Sequence, residues 1–212
     1  MKKATFIVFE GIEGVGKSTQ VKLLCDFLQS QGKNVVSTRE PGGTPQADEI
    51  RKCIVRSGKG SMLPLTELFL IEAARKEHVE KVIKPQLKLA DYIICDRYIY
   101  SSLAYQGYAC GLDLDTVNML NQLATDNTLP DQVILLDAEP ALGIQRSLDR
   151  LAQQQKGHRE DRFENEALDF HQRVRQGFLS LAKTNELFTT LNANQSISQL
   201  HAEILKMLGL KQ

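Results

Sequence analysis

The sequence has no excess of either charge. Its 212 residues include 26 lysines and arginines against 26 aspartates and glutamates, so the formal net charge is +0. Proteins that bind a nucleic-acid duplex or an anionic membrane mainly through charge carry a basic excess. The balance therefore excludes these partners as the main ones, and any anion site must be built locally from a few side chains.

Cysteine is scarce, and long apolar runs are absent. Cys25, Cys53, Cys95 and Cys110 lack the CxxC spacing of zinc and redox motifs, which favours reduced thiols and a cytoplasmic protein. An apolar run follows Met1-Lys2-Lys3 but breaks at Glu10, too early for a signal core or a membrane span. We expect a soluble, unprocessed protein with no membrane segment.

What the sequence does have is a regular alternation of short apolar runs and segments of helical period. The runs are TFIVF (5–9), NVVST (34–38), YIIC (92–95), QVILLD (132–137) and LFTTL (187–191). This alternation predicts an α/β fold with a parallel sheet buried on both faces, whose ligands bind at the carboxyl ends of the strands. The length fits one domain over residues 1–212.

One polar segment, AQQQKGHRED at 152–161, lacks large apolar side chains. It predicts a mobile loop between helices expected at Leu142–Leu151 and Phe163–Lys183, and it is too short for an interdomain linker.

The strongest motif is FEGIEGVGKSTQ, directly after the first run. Gly11-x-x-x-x-Gly16-Lys17-Ser18 matches the Walker A pattern, in which backbone N–H groups wrap phosphates, the lysine reaches the outer phosphates and the serine meets Mg²⁺. A helix expected from Lys17 to Gln29 would point its positive end at the anion. The predicted ATP contacts are Gly11, Ile12, Glu13, Gly14, Val15, Gly16, Lys17, Ser18 and Thr19, with Ser18 also contacting Mg²⁺.

This loop alone does not separate a kinase from a GTPase or a mechanical ATPase, so the other strand ends matter. Arg39 follows the second run in TREPGGTP, where Thr44 is a candidate helix N-cap. Such an arginine can grip a phosphate bidentately, although an ordinary turn with a solvated arginine would look the same. Asp96-Arg97 follows the third run; its alternative interpretation is a buried structural ion pair.

Six cations are thus expected near one sheet edge: Lys17, Arg39 and Arg97 at strand ends, Lys156 and Arg159 in the polar segment, and Arg162 directly after it. Two anions, a donor triphosphate and a phosphorylated acceptor, fit this number better than one. A phosphate acceptor is already ionised at neutral pH and needs no general base. Glu10, Glu13 and Asp96 would then orient a sugar hydroxyl, a lysine or the metal's water shell.

Four motifs in this order, FEGIEGVGKST, TREPGGT, CDRYIYSSLAYQG and DRFE (161–164), resemble bacterial thymidylate kinase over nearly the whole chain. The resemblance implies a P-loop fold with a five-stranded parallel sheet flanked by helices. It also implies phosphorylation of dTMP to dTDP by ATP with Mg²⁺, as part of dTTP synthesis, in a homodimer.

The resemblance also implies roles for single residues. Lys17 and Ser18 would serve ATP and Mg²⁺, Arg39 and Arg97 the acceptor phosphate, and Glu13 the sugar 3′-hydroxyl. Arg75 would recognise the thymine edge with Ser101 and Ser102 nearby, Tyr105 would lie against the deoxyribose, and Glu164 would lie near the sugar and metal. Because the P-loop carries no arginine, a lid at about 150–162 must supply the catalytic one, for which Arg159 is preferred over Arg150 and Lys156.

The sequence departs from this family at two places. Many relatives have a stacking phenylalanine where this chain has Ile71, and some have asparagine at Ser102. Phe69 would point away from Ile71's helix face, towards core or a dimer contact. The four dispersed histidines, His78, His158, His171 and His201, are expected to be structural rather than metal ligands or acid–base groups.

Two other functions stay open at this point. One is a deoxynucleoside kinase or another nucleoside monophosphate kinase. The other, from a different class, is a regulatory or assembly protein that hydrolyses ATP slowly without an acceptor.

Overall fold

A five-stranded sheet organises the computed structural model, which describes residues 4–56, 62–153 and 166–210. The strands are β1 (Thr5–Glu10), β2 (Val35–Arg39), β3 (Tyr92–Asp96), β4 (Gln132–Asp137) and β5 (Phe188–Asn192). They lie in the order β2-β3-β1-β4-β5, and every pairing is parallel. The α/β fold with a five-stranded parallel sheet is confirmed, and each strand lies within one residue of its predicted bounds.

Helices connect these strands and cover the sheet. They are α1 (Lys17–Ser30), α2 (Pro45–Arg56), α3 (Pro64–His78), α4 (Lys84–Leu89), α5 (Ile99–Ser102), α6 (Leu114–Thr125), α7 (Pro140–Gln153), α8 (Leu168–Thr184) and α9 (Ile197–Met207). Two π-helical segments, Val79–Ile83 and Leu103–Ala109, continue α3 into α4 and extend α5. Within the described residues, no helix is long and apolar enough to cross a membrane.

The central strand β1 explains why the sheet is parallel and buried. Phe6, Ile7, Val8 and Phe9 are all completely buried, so side chains on both faces of the strand are covered. Such a run has no polar side to turn towards water and must lie between two helical layers. Because β1 lies between β3 and β4, its carboxyl end is at the centre of the sheet edge where the predicted motifs meet.

The predicted helices are confirmed apart from one start. Helix α1 ends one residue later than expected, and α7 extends the predicted Leu142–Leu151 at both ends. Helix α8 begins at Leu168 after an extended Ala167, so the prediction of helix from Phe163 was wrong at Glu166 and Ala167. Most of the expected lid at about 150–162 lies outside the described residues.

Helix α8 lies against the π-helical segment Leu103–Ala109, and a glycine permits the close approach. A Cβ on Gly177 would lie 2.8 Å from the Cβ of Tyr108 and 2.9 Å from its Cγ, closer than real atoms come. The stem of a tyrosine side chain cannot swing aside as its far end could. The distance between these two helical elements is thus set by the missing side chain at position 177.

We therefore expect Gly177→Ala to destabilise the protein despite the better helix propensity of alanine. Overpacking of this kind costs about 1–3 kcal/mol, against a propensity gain of up to about 1 kcal/mol. Urea denaturation measures the free energy of unfolding, with the exposed neighbour Gln176→Ala as the control, expected within about 0.5 kcal/mol of wild type. A Gly177→Ala protein more stable than wild type would contradict the packing described here.

Candidate active site

The loop between β1 and α1 packs closely on α7, and a glycine on each side, Gly14 and Gly143, permits the contact. Gly14 has φ of +69°, and a Cβ there would lie 1.8 Å from the carbonyl oxygen of Gly143 in α7. A Cβ on Gly143 would in turn lie 2.5 Å from the carbonyl oxygen of Glu13. Backbone thus packs on backbone, which fixes the loop's position above the sheet edge.

Lys17 is the first residue of α1, directly after this loop, and is almost fully buried. Its Nζ donates to the carbonyl oxygens of Gly11 at 3.0 Å and Ile12 at 2.7 Å. Burial, with the nearby Arg97 guanidinium, lowers the pKa of Lys17 to about 8. An anion entering the loop would favour the charged ammonium that burial disfavours.

Ser18 and Asp96 bring two oxygen donors together beside the loop. The Ser18 hydroxyl donates to Oδ2 of Asp96 at 2.7 Å, joining the first turn of α1 to the end of β3. Hydroxyl and carboxylate oxygens are hard ligands of the kind that Mg²⁺ takes alongside water and phosphate oxygens. The donor set fits the predicted Mg²⁺ contact at Ser18 and adds Asp96 to it.

Arg97 holds an unusual backbone conformation, with φ of +73°. Its Nη1 donates to the Gly11 carbonyl oxygen at 3.0 Å, and its Nη2 donates to Glu13 Oε1 at 3.0 Å and to the Tyr105 hydroxyl at 3.1 Å. The structure therefore contains an ion pair of Arg97, the kind of contact that the sequence left open, but its partner is Glu13 and the pair is only partly buried. The pair does not remove Arg97 from the site, because its partner is a residue of the phosphate-binding loop.

The pKa values of two carboxylates near Gly11, Glu10 and Glu13, are shifted in opposite directions. Glu10 is fully buried, and burial raises its pKa to about 7 although it accepts hydrogen bonds from the backbone and hydroxyl of Ser101. Burial also acts on Glu13, but His171, Arg97 and Lys17 outweigh it and hold the pKa of Glu13 at about 2. Glu13 is thus the carboxylate that stays charged.

Arg39 lies at the end of β2, where the register pairs it with Asp96. Its side chain is 54% exposed, and Nη2 lies 3.7 Å from Asp48 Oδ1, a loose contact. The guanidinium is therefore open to an incoming anion. Thr44 caps α2 as predicted, since its hydroxyl accepts the N–H of Ala47 at 3.1 Å.

Arg75 occupies a different environment, with only 1% of its side chain exposed. Its nitrogens donate to side-chain oxygens of Glu40, Glu72, Ser102 and Asn121 and to the carbonyl oxygen of Tyr98. These carboxylates raise the pKa of Arg75 against its burial, so it is a permanent charge. Ser102 is at its side, as the family resemblance implied.

Sequence reasoning missed most of this buried network. His78 joins it through Nδ1, 2.9 Å from Glu40 Oε1, and through Nε2, 2.6 Å from the Thr38 hydroxyl. The expectation that His78 is structural agrees with these contacts. A signal was available, because Glu72, Arg75 and His78 recur at a spacing of three on α3 and mark one polar face of the helix.

The other predicted residues divide clearly. Lys17, Ser18, Glu13, Arg97, Ser101 and Tyr105 meet at one place, whereas Arg159 and Glu164 lie outside the described residues.

The side chains of Ile71 and Phe69 lie on different sides of α3. Ile71 is buried and Phe69 is 54% exposed, so the prediction that the two point to different sides of the helix is confirmed.

A cavity of about 380 Å³ opens behind the loop. Gly14, Gly16 and Thr19 line one wall, and Arg146, Ser196 and Ile197 line another. Arg146 is held by a hydrogen bond of 3.1 Å to the carbonyl oxygen of Ala193. Sequence reasoning missed this wall, which combines Arg146 of α7 with Ser196 and Ile197 at the start of α9, far along the chain from the loop.

Comparison with known proteins gives a consistent result. The family model "Thymidylate kinase" matches residues 9–204. Thymidylate kinase of Geotalea uraniireducens is 44% identical over 200 residues, covering 94% of this chain and 93% of that protein. Thymidylate kinase of Geobacter sulfurreducens is 45% identical over 204 residues, covering 96% and 95%.

A solved structure agrees with these relatives. The crystal structure of thymidylate kinase from Ehrlichia chaffeensis superimposes with a TM-score of 0.78 at 33% identity, covering 98% of this chain and 99% of that one. The P-loop kinase fold and the enzyme class expected from the sequence are confirmed. This chain belongs to the thymidylate kinase family.

Proposed function

We propose that this enzyme transfers the γ-phosphoryl group of ATP to dTMP, giving dTDP and ADP. The observation that carries the proposal is the placement of cations beside the carboxyl ends of three consecutive strands of the sheet, β1, β3 and β2. Lys17 is the first residue of α1, directly after the loop that follows β1. Arg97 directly follows the neighbouring strand β3, and Arg39 is the last residue of β2, the strand beyond β3. Two phosphorylated ligands would meet between them.

The donor side is built from the loop and the cavity behind it. The loop's backbone N–H groups and Lys17 would hold the outer phosphates of ATP, and the cavity of about 380 Å³ has room for its adenosine end. Ser18 and Asp96 would hold Mg²⁺, which neutralises charge on the donor phosphates when bound.

The acceptor side needs an anion site and no general base. Arg39 is open to the phosphate of dTMP, and Arg97 would reach it by exchanging part of its contact with the loop. Tyr105 lies beside Arg97 with its ring 5.1 Å from the guanidinium carbon, where a deoxyribose would pack against it. Glu13 would approach the 3′-hydroxyl from the same place, and Glu164 is proposed near the sugar and metal from the family pattern alone.

Base recognition would use the buried network around Arg75. Nη2 of Arg75 carries two N–H groups and makes one hydrogen bond within the described part of the chain, so one N–H is left for a carbonyl oxygen of thymine. Ser102 and the buried Ile71 would complete this pocket with a hydroxyl and an aliphatic surface. Glu40 and Glu72 fix the guanidinium in place and make it a preformed donor.

Catalysis in such a site is positioning and charge stabilisation. Lys17, Arg97 and a lid arginine, for which Arg159 is our candidate, would surround the transferring group. Closure of the lid at about 150–162 would exclude water and so prevent hydrolysis of ATP.

We also propose a homodimer and a cytoplasmic location. Leu65 and Phe69 on α3 and Met119 and Leu123 on α6 form an exposed apolar face on two helices that pack together. A second copy of the chain would cover it. All four cysteines are free thiols, which suits a reducing compartment.

The proposed function predicts a narrow acceptor preference in a panel of nucleoside monophosphates with ATP and Mg²⁺. We expect dTDP formation from dTMP to exceed turnover of the other monophosphates and of thymidine. The 5′-hydroxyl of thymidine is uncharged and would make no ion pair with Arg39. A coupled ADP assay with product chromatography measures this. Faster turnover of thymidine would indicate a deoxynucleoside kinase, and ATP hydrolysis unaffected by every acceptor would indicate the regulatory ATPase.

Lys17→Ala should remove the main cation on the donor phosphates while leaving the fold intact. We expect turnover to fall by about a hundredfold or more, the usual effect of losing one preorganised donor. Lys22→Ala is the matched control, since Lys22 lies on the same helix in an exposed pair with Asp26. The circular dichroism spectra of both variants should match wild type, and near-normal turnover by Lys17→Ala would refute its assignment.

Arg39→Lys separates charge from geometry at the acceptor phosphate. Lysine keeps the charge but loses the bidentate fork, so we expect KM for dTMP to rise by about tenfold and KM for ATP to change little. Asp48→Asn serves as the control, because it removes the loose anionic neighbour of Arg39 and keeps the guanidinium. Equal changes in the two KM values would count against an acceptor-phosphate role.

A further inference from the structure

His171 lies on α8 at a point where it faces the phosphate-binding loop. It is completely buried, and neither ring nitrogen has a hydrogen-bond partner among the described residues. Its Nδ1 lies 3.3 Å from Oε2 of Glu13. That carboxylate oxygen is also buried and also lacks a hydrogen-bond partner within the described ranges.

The second oxygen of Glu13 is fully engaged. Oε1 accepts from Nη2 of Arg97 at 3.0 Å and from the hydroxyl of Tyr105, which are themselves 3.1 Å apart. Glu13 therefore contacts three elements at once: the residue after β3, the π-helical segment and α8. The orientation of its carboxylate decides where the Arg97 guanidinium lies.

The contact with His171 differs from the rest of the α8 surface at this place. Phe170 and Phe178 lie 6.2 Å from the Tyr105 ring, measured between centroids, and Val174 is fully buried beside them. These side chains supply packing. His171 is the one that presents a hydrogen-bond donor to the loop, to a carboxylate that burial would otherwise disfavour in its charged form.

His171 Nδ1 and Glu13 Oε2 are buried, lack hydrogen-bond partners within the described residues and lie 3.3 Å apart, so a hydrogen bond between them would satisfy both. With its proton on Nδ1, the imidazole needs only a small rotation to donate to Oε2 of Glu13, and each group then satisfies the other. A hydrogen bond to a charged acceptor is stronger than one between neutral groups, so this bond would hold the carboxylate firmly.

We propose that His171 is a positioning residue: it donates from Nδ1 to Glu13 Oε2 and so fixes the carboxylate that orients Arg97 and Tyr105. Helix α8 thereby sets the geometry of the arginine that receives the acceptor phosphate. The kinetic consequence rests on the proposed phosphorylation of dTMP; the contact itself does not.

Two nearly isosteric substitutions test the donor. His171→Asn keeps an N–H close to the position of Nδ1, whereas His171→Leu has a similar branched shape and none. We expect His171→Leu to lower kcat/KM for dTMP by about tenfold to a hundredfold, the range for a hydrogen bond to a charged group, and His171→Asn to retain most of the activity. KM for ATP should change little in either variant.

The control is Val174→Ala, one turn along the same buried face. We expect it to lower the melting temperature and to leave kcat/KM near wild type, because it removes packing and no polar contact. Equal activity of His171→Asn and His171→Leu per folded molecule would overturn the proposal. So would a loss of activity in Val174→Ala as large as that in His171→Leu.

A double-mutant cycle asks whether His171 acts through Glu13. Glu13→Gln should lower kcat/KM, and adding His171→Leu should lower it no further, because the group that His171 positions is already changed. Fully additive effects would show that His171 acts elsewhere and would overturn the proposal.

Nuclear magnetic resonance tests the contact without any reaction. The imidazole ¹⁵N shifts of His171 should move when Glu13 is changed to Gln and stay constant in Arg39→Lys. Unchanged shifts in Glu13→Gln would refute the contact even if dTMP is the substrate, and a clear shift in a protein that fails to phosphorylate dTMP would refute the function and leave the contact standing.

Discussion

The site depends on the contact between Arg97 and Glu13, which joins the end of β3 to the loop after β1. A partly buried guanidinium beside a buried lysine would be unfavourable alone, since desolvation and like charge both act against it. Glu13, held ionised with a pKa of about 2, makes that arrangement possible. The positive backbone φ of Arg97 directs its side chain back over the loop, where it can pair with the Glu13 carboxylate.

The polar side chains around the loop between β1 and α1 find their partners within the protein. Lys17 donates to loop carbonyl oxygens, Arg97 donates to Gly11 and Glu13, and Ser18 donates to Asp96. Each contact is with the loop or with the strand next to it, so the proposed exchange of these contacts for phosphate oxygens would be local and would leave the fold unchanged. The charges are therefore preorganised, which is what phosphoryl transfer requires of a protein.

The network around Arg75 follows a different rule. Its charge is matched by Glu40 and Glu72 inside the protein, and His78 and Thr38 hold Glu40 in turn. Breaking one member of such a network would leave another charge buried and unpaired, which is costly. Rigidity here suits the proposed recognition of a base edge, because a donor that stays in one position can discriminate between bases.

The sequence by itself determined the order of elements and the composition of the loop. Continuous apolar runs such as Phe6–Phe9 require burial on both faces, and the glycine pattern before Lys17 requires a backbone that wraps an anion. Both are local properties, readable without knowing any neighbour. Arg39, Arg97 and Thr44 were likewise found because they stand directly after strands or before a helix.

Only the tertiary structure decided which distant side chains meet. His171 faces Glu13 across 158 positions of chain, and Arg146 and Ile197 close a cavity behind Gly14. Neither histidine spacing nor helix periodicity contains that information, because the distance between two elements is set by how tightly they pack, as at Gly177 against Tyr108 and Gly14 against Gly143. Whether Arg97 is paired or open, and whether Arg75 is exposed or buried, depends on that packing and so could not be determined from the residues alone.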